Sequence, residues 1–343
     1  MQNKLNEGPL LDENGNLCEC GYSTEAVKIY DRSAIKAGRL RIKEWDYYLV
    51  SNGKFAVCLT IDDNSYMSLA SVSFLDFEKR SYVTKSRMHA FSRGKVGLPP
   101  DYRSGRVSYS DKVVDGAFSA ENGRRNLRFS YKKFDGNDDL ECELELFDEP
   151  RDKIAIATPF CKRRHFYYNL KMNCMTVRGY CKIGNRKIVF SEESSLATLD
   201  WGRGVWTYSN EWYWSSLQCL IDGVKFGFNL GYGFGDTSAA TENMIFYNGI
   251  AHKLNNVAFN IPSNEKGRGF DYLAPWTIKD NEGRLELSFK PLIDRYDNAN
   301  ALIISSNQHQ VFGIFSGEVK LDDGTVLKIN DKIGFAEHVR NRW

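Results

Sequence analysis

Apolar and polar residues alternate with a period of two along most of this chain, the repeat that sends successive side chains to opposite faces of a β-strand. The clearest run is Leu140-Glu141-Cys142-Glu143-Leu144-Glu145-Leu146, acidic on one face and apolar on the other. Residues 71–77, 126–131, 225–230, 257–261, 284–289 and 311–317 carry the same strand texture, and 55–61 is a continuous apolar run of strand length. Helical spacing nearly vanishes after residue 40. Asn-Gly, Asp-Gly and Glu-Gly pairs at 52–53, 222–223, 248–249, 282–283 and 323–324 punctuate the runs, and such pairs favour hairpin turns. The pattern predicts an all-β, mostly antiparallel fold, with residues 1–40 as a loop-rich arm packed on the body.

A faint duplication sharpens this. Glu44-Trp45 is followed by a turn and the strand 53–57; Glu211-Trp212, about half a chain later, is followed by a turn and the strand 223–228. Two similar β units are expected, over 41–190 and 191–343. Closing each into a barrel or curved sandwich removes exposed sheet edges, and an eight-stranded barrel has room for one small ligand.

Charge and cysteine usage exclude several classes. With 46 basic against 44 acidic residues the net charge is +2, unlike the strong basic excess of a nucleic-acid scaffold. No run of eighteen apolar residues predicts a membrane span, and the polar start lacks the apolar centre of a secretory signal. Eight scattered cysteines then read as reduced thiols and the expected location is cytoplasmic. Cys18-Glu19-Cys20 lacks a second pair at zinc spacing, so no metal is expected. Gly231-Tyr232-Gly233-Phe234-Gly235 opens no helix, which argues against a dinucleotide cofactor; none is expected. The expected partner is a small molecule.

Residues 199–214 concentrate four of the seven tryptophans with two carboxylates and an arginine. Trp201, Trp206, Trp212, Tyr213 and Trp214 are the candidate wall of a pocket, joined by Tyr232, Asn243 and His252. Asp200, Asp236 and Glu242 are the candidate acids, since a carboxyl in an apolar pocket keeps its proton toward neutral pH. Arg203 is placed to grip an anionic group. Plainer readings stand beside these. Asp200 and Arg203 can pair to lock a turn, Asp236 can cap one, and Trp212 and Trp214 share a strand face that can be core. Trp201 and Trp206 fall on opposite faces.

The run Leu199-Asp200-Trp201-Gly202-Arg203-Gly204-Val205-Trp206 resembles the family catalogued as domain of unknown function 2804. So do residues 39–48, Thr158-Pro159-Phe160, residues 228–236, Glu242-Asn243-Met244, His252-Lys253-Leu254, His309-Gln310-Val311-Phe312-Gly313 and Asn341-Arg342-Trp343. The chain is more distantly similar to two-domain lipocalin-like proteins such as carotenoid hydratases, tocopherol cyclases and fungal pericyclases. That resemblance implies two tandem lipocalin-like antiparallel barrels, with Asp200-Trp201-Gly202 opening the second, and a hydrophobic ligand such as an isoprenoid, polyketide or lipid. Three functions stay open: binding, with or without cofactor-free acid catalysis (hydration, cyclisation or isomerisation), of that ligand; a carbohydrate-active enzyme using paired carboxylates; and a non-catalytic carrier or structural protein.

Overall fold

The computed structural model describes residues 2–264, 267, 269–301 and 304–343. Strands dominate it; the helical elements among these residues are single 3-10 turns at Arg32–Ala34 and Arg39–Arg41. Two large sheets carry the molecule, and every strand pairing described within them is antiparallel.

The first sheet follows the order Ser81–Ala90, Met67–Asp76, Phe55–Asp63, Ile42–Ser51, Leu196–Val205, Phe166–Ile183, Asp138–Phe147, Arg124–Asp135, Val114–Glu121, Gly105–Ser110. The second follows Ile250–Lys253, Met244–Tyr247, Val224–Tyr232, Ser209–Ile221, Val326–Arg342, Ile304–Lys320, Leu285–Ala301, Trp276–Asp280, Val257–Asn260. Both obey one rule. Strands run up and down, the last long strand returns to pair with the first, and the ring is open after the fourth strand. Each sheet curls into a half-barrel, as an all-β tandem lipocalin-like fold requires. The first is drawn together across its opening by side chains: the Tyr109 and Tyr131 hydroxyls donate to the Arg87 and Ser86 carbonyls at 3.2 and 3.3 Å.

The strand Leu196–Val205, holding Asp200-Trp201-Gly202, therefore closes the first sheet, pairing Ile42–Ser51 on one side and Phe166–Ile183 on the other. The second sheet begins only at Ser209. The expected division at 190/191, and the expectation that this motif opens the second unit, give way to a break near 206–208. The apolar texture is similar in both sheets, so only the pairing shows where one ends.

Apolar layers hold the sheets, beside a smaller cluster in which Tyr22 and Ile154 meet Met244 and Phe246. One fills the first half-barrel (Val57, Leu59, Val72, Phe118, Leu127, Phe129, Trp201). A second fills the other (Phe226, Phe228, Ile278, Leu287, Phe289, Phe315). Between them lies a third, where Tyr47, Leu49, Cys58 and Phe77 meet Trp214, Ile293, Phe312 and Phe335. A strand at this partition is covered on both faces, which is why Leu196–Val205 is buried at every position despite its polar residues.

Candidate functional site

The polar groups buried in the partition form one cluster. On Leu196–Val205 the two-residue period turns Asp200 and Gly202 toward the second sheet, and Trp201 and Arg203 into the first half-barrel. Asp200 Oδ1 accepts from Asn169 Nδ2 at 2.6 Å and lies 3.2 Å from Lys171 Nζ. The same ammonium is 3.6 Å from Glu242 Oε2, donates to the Tyr167 hydroxyl and Asn169 Oδ1 at 3.1 Å each, and sits 4.4 Å from the Trp214 ring centroid. Burial alone would lower the Lys171 pKa, but Asp200 and Glu242 more than offset it and hold the ammonium above the ordinary lysine value.

Glu337 completes the cluster from the second sheet. Its Oε1 accepts from Trp212 Nε1 at 2.8 Å and its Oε2 from Gln310 Nε2 at 3.1 Å. Burial lifts this carboxyl to about 7, with Trp212, Arg295 and Lys171 pulling down and Asp200 pushing up. The duplication relates the two acids. Asp200 pairs with Tyr47, the sixth residue of Ile42–Ser51, and Glu337 with Trp214, the sixth of Ser209–Ile221. Each lies on the strand that closes its own sheet.

Beside the cluster the aromatic rings pack on one another. Phe234 is wedged among Tyr167, Trp206, Trp212 and Phe160, with ring centroids 4.8, 4.8, 5.1 and 5.1 Å away. Trp45 stacks on Tyr167 at 6.0 Å and lies over Gly202, where any β-carbon would fall inside its ring. The expected hole walled by indoles is thus filled, with Phe234 taking the place of a guest. A cleft of about 400 Å³ opens elsewhere, between the N-terminal arm and the edge of the second sheet, lined by Lys4, Tyr22, Glu25, Met244, Lys253 and Asp322. Next to Trp201 there is a space of only about 10 Å³.

Of the residues singled out in the sequence, Asp200, Glu242, Trp206, Trp212 and Trp214 meet at the partition. The others do not. Trp201 packs between Tyr30 and Tyr168 inside the first half-barrel. Arg203, fully buried, does not pair with Asp200: it bonds Asp46 at 3.0 Å and the carbonyls of Trp45, Gly202 and Pro99 inside the first half-barrel. Asp236 is exposed, and its hydrogen bonds from Ser238 hold its pKa below the usual carboxylate value, the wrong direction for an acid catalyst. It caps a turn. Asn243 is structural, accepting from Gly231 N and donating to Asn255 O at 2.7 Å each. His252 accepts from Asp322 N at 3.2 Å on the edge strand. Tyr213 and Tyr232 stack on the opposite face of the second sheet, in a row continued by His338, His309 and Tyr296. In that row His338 lies 2.7 Å from Glu211 and 2.6 Å from the Tyr272 hydroxyl.

Lys171, Glu337, Asn169 and Tyr167 were not legible as site residues. The signal was present in part: Tyr167, Asn169, Lys171 and Asn173 make a polar stripe along an otherwise apolar strand, and Glu337 interrupts Phe335-Ala336-Glu337-His338-Val339. Among the described residues no three His, Cys, Asp or Glu side chains converge as metal ligands.

The family described as Domain of unknown function (DUF2804) matches residues 2–343. The chain belongs to the DUF2804 family. Among solved structures this DUF2804 chain is similar to an AttH-like protein from Nitrosomonas europaea, at TM-score 0.51 and 13% identity over 93% of this chain and 98% of that one. It is similar to CghA with Sch210972, at TM-score 0.53 and 7% identity over 98% and 97%. Kievitone hydratase from Nectria haematococca follows at TM-score 0.49 and 12% identity over 98% of each chain. At these identities the likeness is one of fold. No curated protein matches the chain. Among the described residues of this DUF2804 chain no helix is long and apolar enough to cross a membrane.

Proposed function

We propose that this protein binds a small hydrophobic molecule at the partition and transfers a proton to or from it without a redox cofactor, in a hydration, cyclisation or isomerisation. The observation that carries the reading is Glu337. A carboxyl lifted to about 7 holds a proton near neutral pH yet gives it up readily, the poise a general acid needs. The indoles of Trp212 and Trp214 stand beside it, and ring faces stabilise a developing cation. Asp200 and Glu242, paired with Lys171, supply negative charge across the same space. Phe234 marks where a flat apolar group enters, since its ring already occupies a slot shaped for one. CghA, which shares the fold, has been solved with Sch210972, in keeping with a ligand-binding frame.

The carbohydrate reading loses ground because Asp200 and Glu242 share one ammonium and are therefore not set as an acid and base pair. A carrier differs from an enzyme in one respect only, turnover. Native mass spectrometry of protein purified from its own host is expected to reveal a co-purifying apolar molecule. Nile red is expected to bind the Phe234→Ala variant more tightly than wild type. The absence of both a retained molecule and any dye binding by that variant would remove the hydrophobic-ligand reading. Turnover of the retained molecule, lost in Glu337→Gln while binding persists, separates catalyst from carrier.

A further inference from the structure

A second lysine lies on the partition face of the first sheet, in surroundings opposite to those of Lys171. Lys43 stands two residues before Trp45 on Ile42–Ser51 and is 1% exposed. Its Nζ has no hydrogen-bond partner among the described residues. Around it stand three rings, Tyr66, Trp343 and Trp206, with centroids 4.5, 5.2 and 5.6 Å away. Lysines are almost never fully buried without a partner, and a buried ammonium left without hydrogen bonds is costly. Lys171, equally buried, shows the usual remedy: two carboxylates and two oxygen acceptors.

The neighbours of Lys43 share its condition. Asp62 sits across from Trp45 on the next strand, and its Oδ1 is buried without a partner among the described residues; so are the Tyr66 hydroxyl and the ring nitrogens of Trp206 and Trp343. Buried polar atoms in proteins are nearly always bonded, yet five without partners gather at this one place. Four are donors and one is an acceptor, a set matched to an oxygen that accepts. The wall between them is aromatic. Exposed Tyr208 adjoins it at the surface, where its carbonyl accepts from Trp343 N at 2.9 Å.

We infer that Lys43 is a nucleophilic amine that condenses reversibly with the carbonyl group of an apolar aldehyde or ketone, forming an imine at this end of the partition. The inference rests on the proposed entry of a hydrophobic ligand between the sheets and names its reactive group. The Nζ lone pair attacks the carbonyl carbon while the carbonyl oxygen takes a proton from Asp62, giving a carbinolamine. Nitrogen then returns a proton to the Asp62 carboxylate, the hydroxyl takes that proton from Asp62 and leaves as water, and the iminium nitrogen gives its remaining proton back to Asp62, so that amine and carbonyl become imine and one water. Burial supports the roles: it lowers the Lys43 amine to about 7 and raises Asp62 to about 8, so free amine and protonated acid coexist near neutrality.

The test is reductive trapping on the wild-type protein at pH 7 with cyanoborohydride, read by peptide mapping. One arm uses formaldehyde, which needs no apolar slot; the other uses decanal and cinnamaldehyde. Lys43 is expected to be labelled first in both arms, at least tenfold faster than the exposed lysines, and Asp62→Asn is expected to slow it. Labelling by formaldehyde alone would keep the reactive amine and overturn the apolar-carbonyl assignment, and with it hydrophobic entry at this end. Labelling of Lys43 no faster than exposed lysines in either arm would overturn the inference, while Nile red binding by Phe234→Ala would still stand or fall separately.

Discussion

Gly202 shows how much a single position can fix. The Trp45 indole occupies the volume of its missing side chain, and this close approach lets Trp45 stack on Tyr167. Gly202→Ala must displace that ring, and overpacking of this kind costs about 1–3 kcal/mol. The expected result is a lower denaturation midpoint with an unchanged slope. Lys171 makes the electrostatic counterpart. Removing one partner of a buried ion pair leaves its charges uncompensated, so Lys171→Met is expected to lose about 3–5 kcal/mol, and adding Asp200→Asn is expected to restore part of it; a double-mutant cycle measures the coupling. At this scale the sequence was half informative. Asp200 and Trp214 stood out by type and alternation, but a period of two says which face a side chain takes, not who waits there. Arg203 therefore looked free for a ligand when its partner is Asp46, 157 positions away in sequence.

The turn carrying Phe234 is the element most exposed to test. Gly233 and Gly235 flank the ring with φ of +92° and +76°, values in the left-handed region that favour glycine. The glycine-rich run stood out in the sequence, as did the lack of a helical pattern after it. Its use as a mount for an aromatic plug was not, because that depends on Trp206, Trp212 and Phe160 arriving from three separate segments. Phe234→Ala is expected to cost about 3 kcal/mol, the low end for a phenylalanine truncation because the ring is only half-buried. It is also expected to raise Nile red affinity. Loss of stability without any gain in dye binding would make Phe234 plain packing. The long strand Phe166–Ile183 teaches the same lesson: its polar stripe was readable, its meaning only once a second sheet covered it.

For the molecule as a whole, the all-β class and the tandem arrangement followed from alternation and the repeated Glu-Trp pair. The break between the halves did not, since a closing strand looks like any other until its partners are known. Global stability offers a readout of the partition. Glu337 titrates at about 7 in the fold against an ordinary 4.5. Between those values the folded chain keeps a proton that the unfolded chain releases, so stability from this group is full below 4.5 and is lost as pH rises to 7. The loss amounts to about 3 kcal/mol. The unfolding free energy of Glu337→Gln relative to wild type should therefore climb by about that much from pH 4.5 to 7, and a flat difference would contradict the raised carboxyl.

Asp200 and Glu337 ride on the strands that close their respective sheets, Leu196–Val205 and Val326–Arg342. Whatever wedges between these carboxyls pushes on the last stave of each cask at once. Filling the seam and tightening the hoops then become a single event, and backbone amides of both strands should exchange with heavy water more slowly, in step, as occupancy rises.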